Sequence, residues 1–293
     1  MLKDYEHYLK LECAMSQNTV ASYCSDVKSF LGFYQGRAED ACPEDIEAYL
    51  AVRKDLSERS QARAVSSLRS FYDWIVQEGY IRENPCDRIE APKLGRYLPS
   101  VLSSDEIERM LDSIDISTWQ GKRDKAIIEI LYGCGIRVSE ATGLRISHIF
   151  MDKGFIRIIG KGNKERLVPM GDAAVEALNA YMEHRPRPAD KASDDIVFLN
   201  RFGRSLSRIS MFNMVKKVAL MAGIRKEISP HTFRHSFATH LIENGADLRG
   251  VQEMLGHENI VTTEIYTHVE ESKWRQEILE HHPRKPKKKD KQP

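Results

Sequence analysis

The sequence contains no apolar run approaching the ~18 consecutive residues that a membrane-spanning helix needs. Its first residues, Met1-Leu2-Lys3-Asp4-Tyr5-Glu6, lack the apolar centre of a secretory signal, so the cytoplasm is the expected location. Cysteine is sparse and odd in number: Cys13, Cys24, Cys42, Cys86 and Cys134 stand apart, with no Cys-x-x-Cys pair. Such spacing suggests neither a zinc ligand set nor a disulfide framework, and buried, reduced thiols are expected. An excess of one charge is missing too. There are 44 Lys and Arg against 43 Asp and Glu, a net charge of +1, which does not by itself announce a nucleic-acid partner.

The distribution of charge says more than its sum. Residues 284–293 hold six basic side chains and one acidic one, which leaves 38 basic against 42 acidic in the rest of the chain. A body of that balance binds an anionic polymer only if its charges are segregated, basic on one face and acidic on another. With 293 residues, 41% of them apolar, the chain can build two domains, each with its own core.

Periodicity divides the chain. Leu2, Tyr5 and Leu9 recur at helical spacing, as do Val20, Tyr23, Val27, Phe30, Leu31 and Tyr34 up to a stop at Gly36. Pro43 opens a third helix with Ile46, Tyr49 and Leu50 inward. A fourth runs from Ser60 to Glu78 through Val65, Leu68, Phe71, Tyr72 and Ile75. Proline and glycine then crowd Asn84-Pro85 and the stretch Ala91 to Pro99, which favours an extended connection. Beyond it, Ser103-Ser104-Asp105-Glu106 reads as a helix cap, with helices expected at 104–114, 122–133 and 138–143. The period then drops to that of strands at 155–159 and 165–169, a hairpin joined by a short third strand near 147–150. Helices return at 172–183, 207–222, 230–244, 247–255, 259–266 and 271–281. The tail beyond Pro283 is too charged and proline-rich to pack, and disorder is expected there.

Chemistry concentrates near the end of the chain, in His231-Thr232-Phe233-Arg234-His235, Leu255-Gly256-His257 and Ile265-Tyr266-Thr267-His268. Upstream, Gly135-Ile136-Arg137-Val138-Ser139-Glu140 supplies another arginine and Gly160-Lys161-Gly162-Asn163-Lys164 a lysine at a tight turn. A guanidinium grips phosphate oxygens with two N–H groups. An imidazole moves protons near neutral pH, and a phenol can take over a phosphate ester bond as nucleophile. Together these groups can cut and rejoin a nucleic-acid backbone without a metal ion.

In order and context, Arg137, Lys161, His231, Arg234, His257 and Tyr266 resemble the active-site set of the tyrosine recombinases, the phage-integrase family. The strings Leu131 to Glu140, Ile159 to Arg166 and Thr239 to His257 are most similar to its bacterial Xer branch. The resemblance implies a mainly α fold with a small antiparallel β-sheet. It comprises a four-helix, SAM-like core-binding domain (1–92), a linker (93–100), an α+β catalytic domain (101–283) and the basic tail (284–293). The two domains would close on duplex DNA as a clamp. It implies attack by Tyr266 on a backbone phosphate, a 3′-phosphotyrosyl link, and exchange through a Holliday junction held by four protomers, alike or shared with a paralogue. No cofactor, metal or ATP is implied. The Xer branch resolves chromosome dimers at a terminus site, under control of a septal DNA translocase. The same chemistry also serves integrases or transposases of mobile elements, and a DNA-binding protein without catalysis is a further alternative.

Each residue also has a plainer use. Arg137 alone could be a surface arginine paired with Glu140, while Arg234, between Phe233 and Phe237, is expected half-buried and engaged with an anion. Lys161 is either a backbone-phosphate contact or, as the resemblance implies, the acid that protonates the 5′-oxygen; Lys164 and Arg166 are expected to serve phosphate attraction only. The four-residue spacing of His231 and His235, with His240 near, also suits zinc, but no Glu follows the first His and no cysteine is near. His235 is expected packed or hydrogen-bonded, and His268 has no assigned role. Tyr266 alone would be a core residue. The resemblance makes His231 its proton acceptor and His257 a donor to the phosphate, and docks 271–282 on a neighbouring protomer, the alternative being that this helix folds back onto its own domain.

Overall fold

The computed structural model describes residues 1–13, 15–53, 56–90, 101–160, 165–255 and 279–283. The chain divides into two compact units, Met1–Leu98 and Pro99–Pro293. Four helices build the first: α1 (Leu2–Leu11), α2 (Gln17–Tyr34), α3 (Pro43–Val52) and α4 (Glu58–Gln77). Ser16 and Ser57 cap α2 and α4 by accepting the Thr19 and Ser60 amides at 3.2 and 3.3 Å. The residues picked out by periodicity are the core: Tyr5, Leu9, Val27, Phe30, Ile46, Leu68, Phe71, Tyr72 and Ile75 are fully buried.

Two details differ from expectation. The left-handed residue that ends α2 is Gln35 (φ 58°), not Gly36. A Cβ at Gly36 would lie 2.6 Å from the Tyr34 ring, so a side chain there would have to displace that ring. Beyond α4 the chain turns back onto it. Asn84 Nδ2 donates to Arg69 O at 3.0 Å and Asp73 Oδ1 at 2.7 Å, its own Oδ1 accepts from Cys86 N, and Cys86 is fully buried.

The second unit surrounds α6 (Trp119–Gly133), in which Ala126, Ile127, Ile128, Ile130, Leu131 and Tyr132 are all buried. A helix apolar on every side must be covered on every side, and α8 (Asp172–Met182) and α11 (Pro230–Glu243) pack against it. This helix begins earlier than the expected 122: Thr118 Oγ1 accepts from Gly121 N, and Gly121 is forced because a Cβ would lie 1.8 Å from Asp115 O. Around this axis lie α5 (Ser104–Asp112), with its Ser103–Glu106 capping box, α7 (Val138–Thr142), α9 (Lys191–Asp194), α10 (Arg208–Met221) and α12 (Leu248–Leu255).

The sheet is antiparallel in the order β1 (Ile149–Phe150), β2 (Phe155–Ile159), β3 (Glu165–Pro169), with Ile156 opposite Val168 and Ile158 opposite Arg166. The first strand is shorter than expected because Asp195 takes both the Ser147 amide (2.9 Å) and hydroxyl (2.7 Å), leaving only two residues to pair. Four-residue α9 escaped the sequence reading, being too short to show a period. Expected helix 259–266 and most of 271–281 lie outside the described residues, as does the basic tail. Among the described residues, no helix is long and apolar enough to cross a membrane.

Candidate active site

The site grows from the turn that ends α6. Cys134 closes that helix, and Gly135 then adopts φ +58°, a region that costs an L side chain ~1–2 kcal/mol. Space forbids a side chain as well: a Cβ at Gly135 would lie 2.4 Å from Phe237 Cδ1 and 3.1 Å from Leu255 Cδ2. The turn delivers Arg137 to the N-cap of α7, where its amide donates to Glu140 Oε2 at 2.8 Å and its Nη1 to Oε1 at 3.1 Å. It also aims the Gly135 carbonyl at α11. Arg234 Nη1 donates to that carbonyl at 2.9 Å, and Nη2 donates to Leu255 O at the end of α12.

A third arginine completes the group. Arg166 grips Glu140 bidentately, Nη1 to Oε1 at 2.9 Å and Nη2 to Oε2 at 2.8 Å, while its Nε donates to Met254 O at 2.9 Å. Three guanidiniums thus gather near one carboxylate, an excess of two positive charges. Arg234 registers the crowding: burial, then the charges of Arg137 and Arg166, push its pKa down to about 10, which still leaves it charged at neutral pH. Burial alone would push the Glu140 carboxyl up, but the bonds and charge of Arg166, with help from Arg137, outweigh it and hold the group below the usual carboxylate range. Surplus, hydrogen-bond-bearing positive charge of this kind is suited to an anion whose charge grows during reaction.

Arg137 and Arg234, 97 positions apart in sequence, are therefore brought within electrostatic reach of each other. His231 lies in the first turn of α11, exposed, three residues before Arg234. Lys161, His257 and Tyr266 lie outside the described residues; in sequence His257 follows two residues after Leu255, whose carbonyl Arg234 holds.

Several expectations need correction. Arg166 is no exposed phosphate contact: its side chain is 14% exposed and spent on Glu140 and Met254. Its signal was available in the strand alternation, since Arg166 shares a face with buried Val168 and stands opposite buried Ile158. Glu140 is more than a surface partner for Arg137; it is the shared anchor of two arginines. His235 is exposed rather than packed. His240 is buried, its Nδ1 2.8 Å from the Tyr132 hydroxyl, and burial lowers its pKa. Among the described residues no three His, Cys, Asp or Glu side chains converge as metal ligands.

Of the C-terminal segment 271–282, only 279–282 lie among the described residues. His282 is buried on its own unit, Nε2 donating to Gly133 O at 2.6 Å, and His281 and Asn244 exchange bonds of 2.6 and 3.0 Å. These contacts use donors and acceptors at the ends of α6 and α11.

Comparison with known proteins decides the family. Residues 100–273 match the phage integrase family, and residues 2–79 match the phage integrase N-terminal SAM-like domain. The chain belongs to the phage integrase family. It is a tyrosine site-specific recombinase. It is 45% identical to tyrosine recombinase XerD of Chlorobaculum tepidum, over 97% of this chain and 96% of that one. It is 42% identical to tyrosine recombinase XerD of Listeria monocytogenes, over 97% and 99%. Among solved structures, the XerH site-specific recombinase bound to palindromic difH substrate in a post-cleavage complex matches with a TM-score of 0.70. That match has 25% identity and covers 94% of this chain and 83% of that one. The family's helical fold with a small sheet is the architecture described above.

Proposed function

We propose that this recombinase binds a specific duplex DNA site and cuts it with Tyr266 as nucleophile, forming a 3′-phosphotyrosyl link and a free 5′-hydroxyl. Arg137 and Arg234 hold the scissile phosphate and offset the charge that builds on its oxygens. Lys161 protonates the leaving 5′-oxygen, His231 accepts the phenolic proton, and His257 donates to the phosphate. A partner strand's 5′-hydroxyl reverses the ester, so the bond energy stays in the protein link and no cofactor is consumed. The observation that carries this reading is the pairing of Arg137 and Arg166 on the buried Glu140 carboxylate, with Arg234 within electrostatic reach of both and bound to the end of α12. The helical unit 1–92 serves as the core-binding domain and 101–283 as the catalytic domain, joined by 93–100.

The similarity to XerD proteins supports resolution of chromosome dimers; the reaction would run in the cytoplasm through a Holliday junction held by four protomers, alike or shared with a paralogue, with a septal DNA translocase as the controlling partner. The test uses a nicked suicide duplex carrying the site recovered by footprinting. The native protein yields a covalent adduct on a denaturing gel and Tyr266→Phe yields none while binding the duplex equally well. An adduct of normal yield from Tyr266→Phe refutes the assignment.

A further inference from the structure

Arg166 has a role in none of the steps above, yet all three of its side-chain nitrogens are hydrogen-bonded. Its three bonds reach residues 26 and 88 positions away. It takes both Glu140 oxygens with the planar fork that matches a carboxylate. Arg137 takes only Oε1 with its side chain, at the longer distance of 3.1 Å, and is 38% exposed where Arg166 is 14% exposed. The carboxylate is thus oriented by the buried arginine and only shared with the accessible one.

We infer that Arg166 is a positioning residue that, by fixing Glu140, stops this carboxylate from closing bidentately on Arg137 and competing with the phosphate for that guanidinium. Its Nε bond to Met254 O ties the end of α12, which Arg234 also holds, to the same carboxylate. One side chain on β3 thereby sets the distance between the two phosphate-binding arginines. This inference rests on the proposed cleavage reaction.

The sign of a double substitution separates this role from a merely structural one. Removing the fork by Arg166→Met or Arg166→Lys should slow adduct formation on the nicked suicide duplex by about tenfold to a hundredfold, the scale of a misplaced catalytic group, with duplex binding changed less than threefold. Adding Glu140→Gln to Arg166→Met removes the competitor, so the double variant should be no slower than Glu140→Gln alone. The same series is read without DNA, as the rise in Tm with sodium sulfate in excess of that shown by Arg137→Ala. The native protein should show such an excess, Arg166→Lys should lose it, and the double variant should regain it. Losses that multiply in the double variant, or an Arg166→Lys variant equal to native in both assays, overturn the inference. If the native protein forms no adduct, the cleavage reading fails and the sulfate series alone decides the role of Arg166.

Discussion

Replacing Gly135 by alanine tests whether the turn between α6 and α7 sets the arginine geometry. The substitution forces an L residue to φ +58°, at ~1–2 kcal/mol. It also drives a methyl into the Phe237 ring and Leu255, where the closest approach would be 2.4 Å. Overpacking of that kind costs ~1–3 kcal/mol, so a loss of about 3 kcal/mol is expected. For a unit of this size that lowers Tm by roughly 6–12 °C. Phe237 stands one turn beyond Arg234 on α11, so relief of the clash shifts the helix away from the Gly135 carbonyl that Arg234 holds. Adduct formation should fall by about tenfold to a hundredfold. Gly223→Ala is the control: its φ is +70° but a Cβ there meets nothing within 4 Å, so only the dihedral cost applies and cleavage should be unchanged. Equal Tm losses in the two variants, with native cleavage by Gly135→Ala, would refute the reasoning.

Further outcomes follow from other residues. Lys161→Ala should slow cleavage of ordinary DNA by roughly two to four orders of magnitude and recover much of the rate on a 5′-phosphorothiolate substrate, whose leaving group needs no proton; equal defects on both leave only a phosphate-binding lysine. The folded Glu140 pKa lies below its unfolded value of ~4.3. Its contribution to stability is therefore complete above that pH and lost as pH falls through the folded value, so Glu140→Gln should lose less Tm than the native protein between pH 5 and pH 3. The folded His240 pKa lies below ~6.5, so its contribution is complete above that pH and declines on acidification. Thermal unfolding at pH 7.5 and 5.5 should show a smaller acid loss for His240→Gln, and an unchanged loss would reject its buried neutral state.

What the sequence disclosed and what it hid follow a physical division. Helices with a continuous apolar stripe were legible because burial repeats every three or four residues, and α2, α4, α10 and α11 fall within two residues of the expected bounds. Bounds moved where a side chain from elsewhere intervened, as Asp195 does at Ser147. Arg137 and Arg234 were singled out from their motifs, and the structure brings them within electrostatic reach of each other. The burial of Arg166 could have been read from the strand alternation, but its partners on α7 and α12 could not, since no local window contains them. Gln35 takes the left-handed turn although a glycine stands beside it, which the residue types alone do not suggest.

The central claim is that Tyr266 becomes esterified to DNA within the arginine cluster. Native recombinase should be trapped on a nicked suicide duplex, digested with trypsin and nuclease, and sequenced by mass spectrometry. The account predicts a single nucleotide-bearing peptide with the modification on Tyr266 through a 3′-phosphate, and its absence from Arg234→Ala. A nucleotide on any other residue, or a 5′-phosphate linkage, would contradict it.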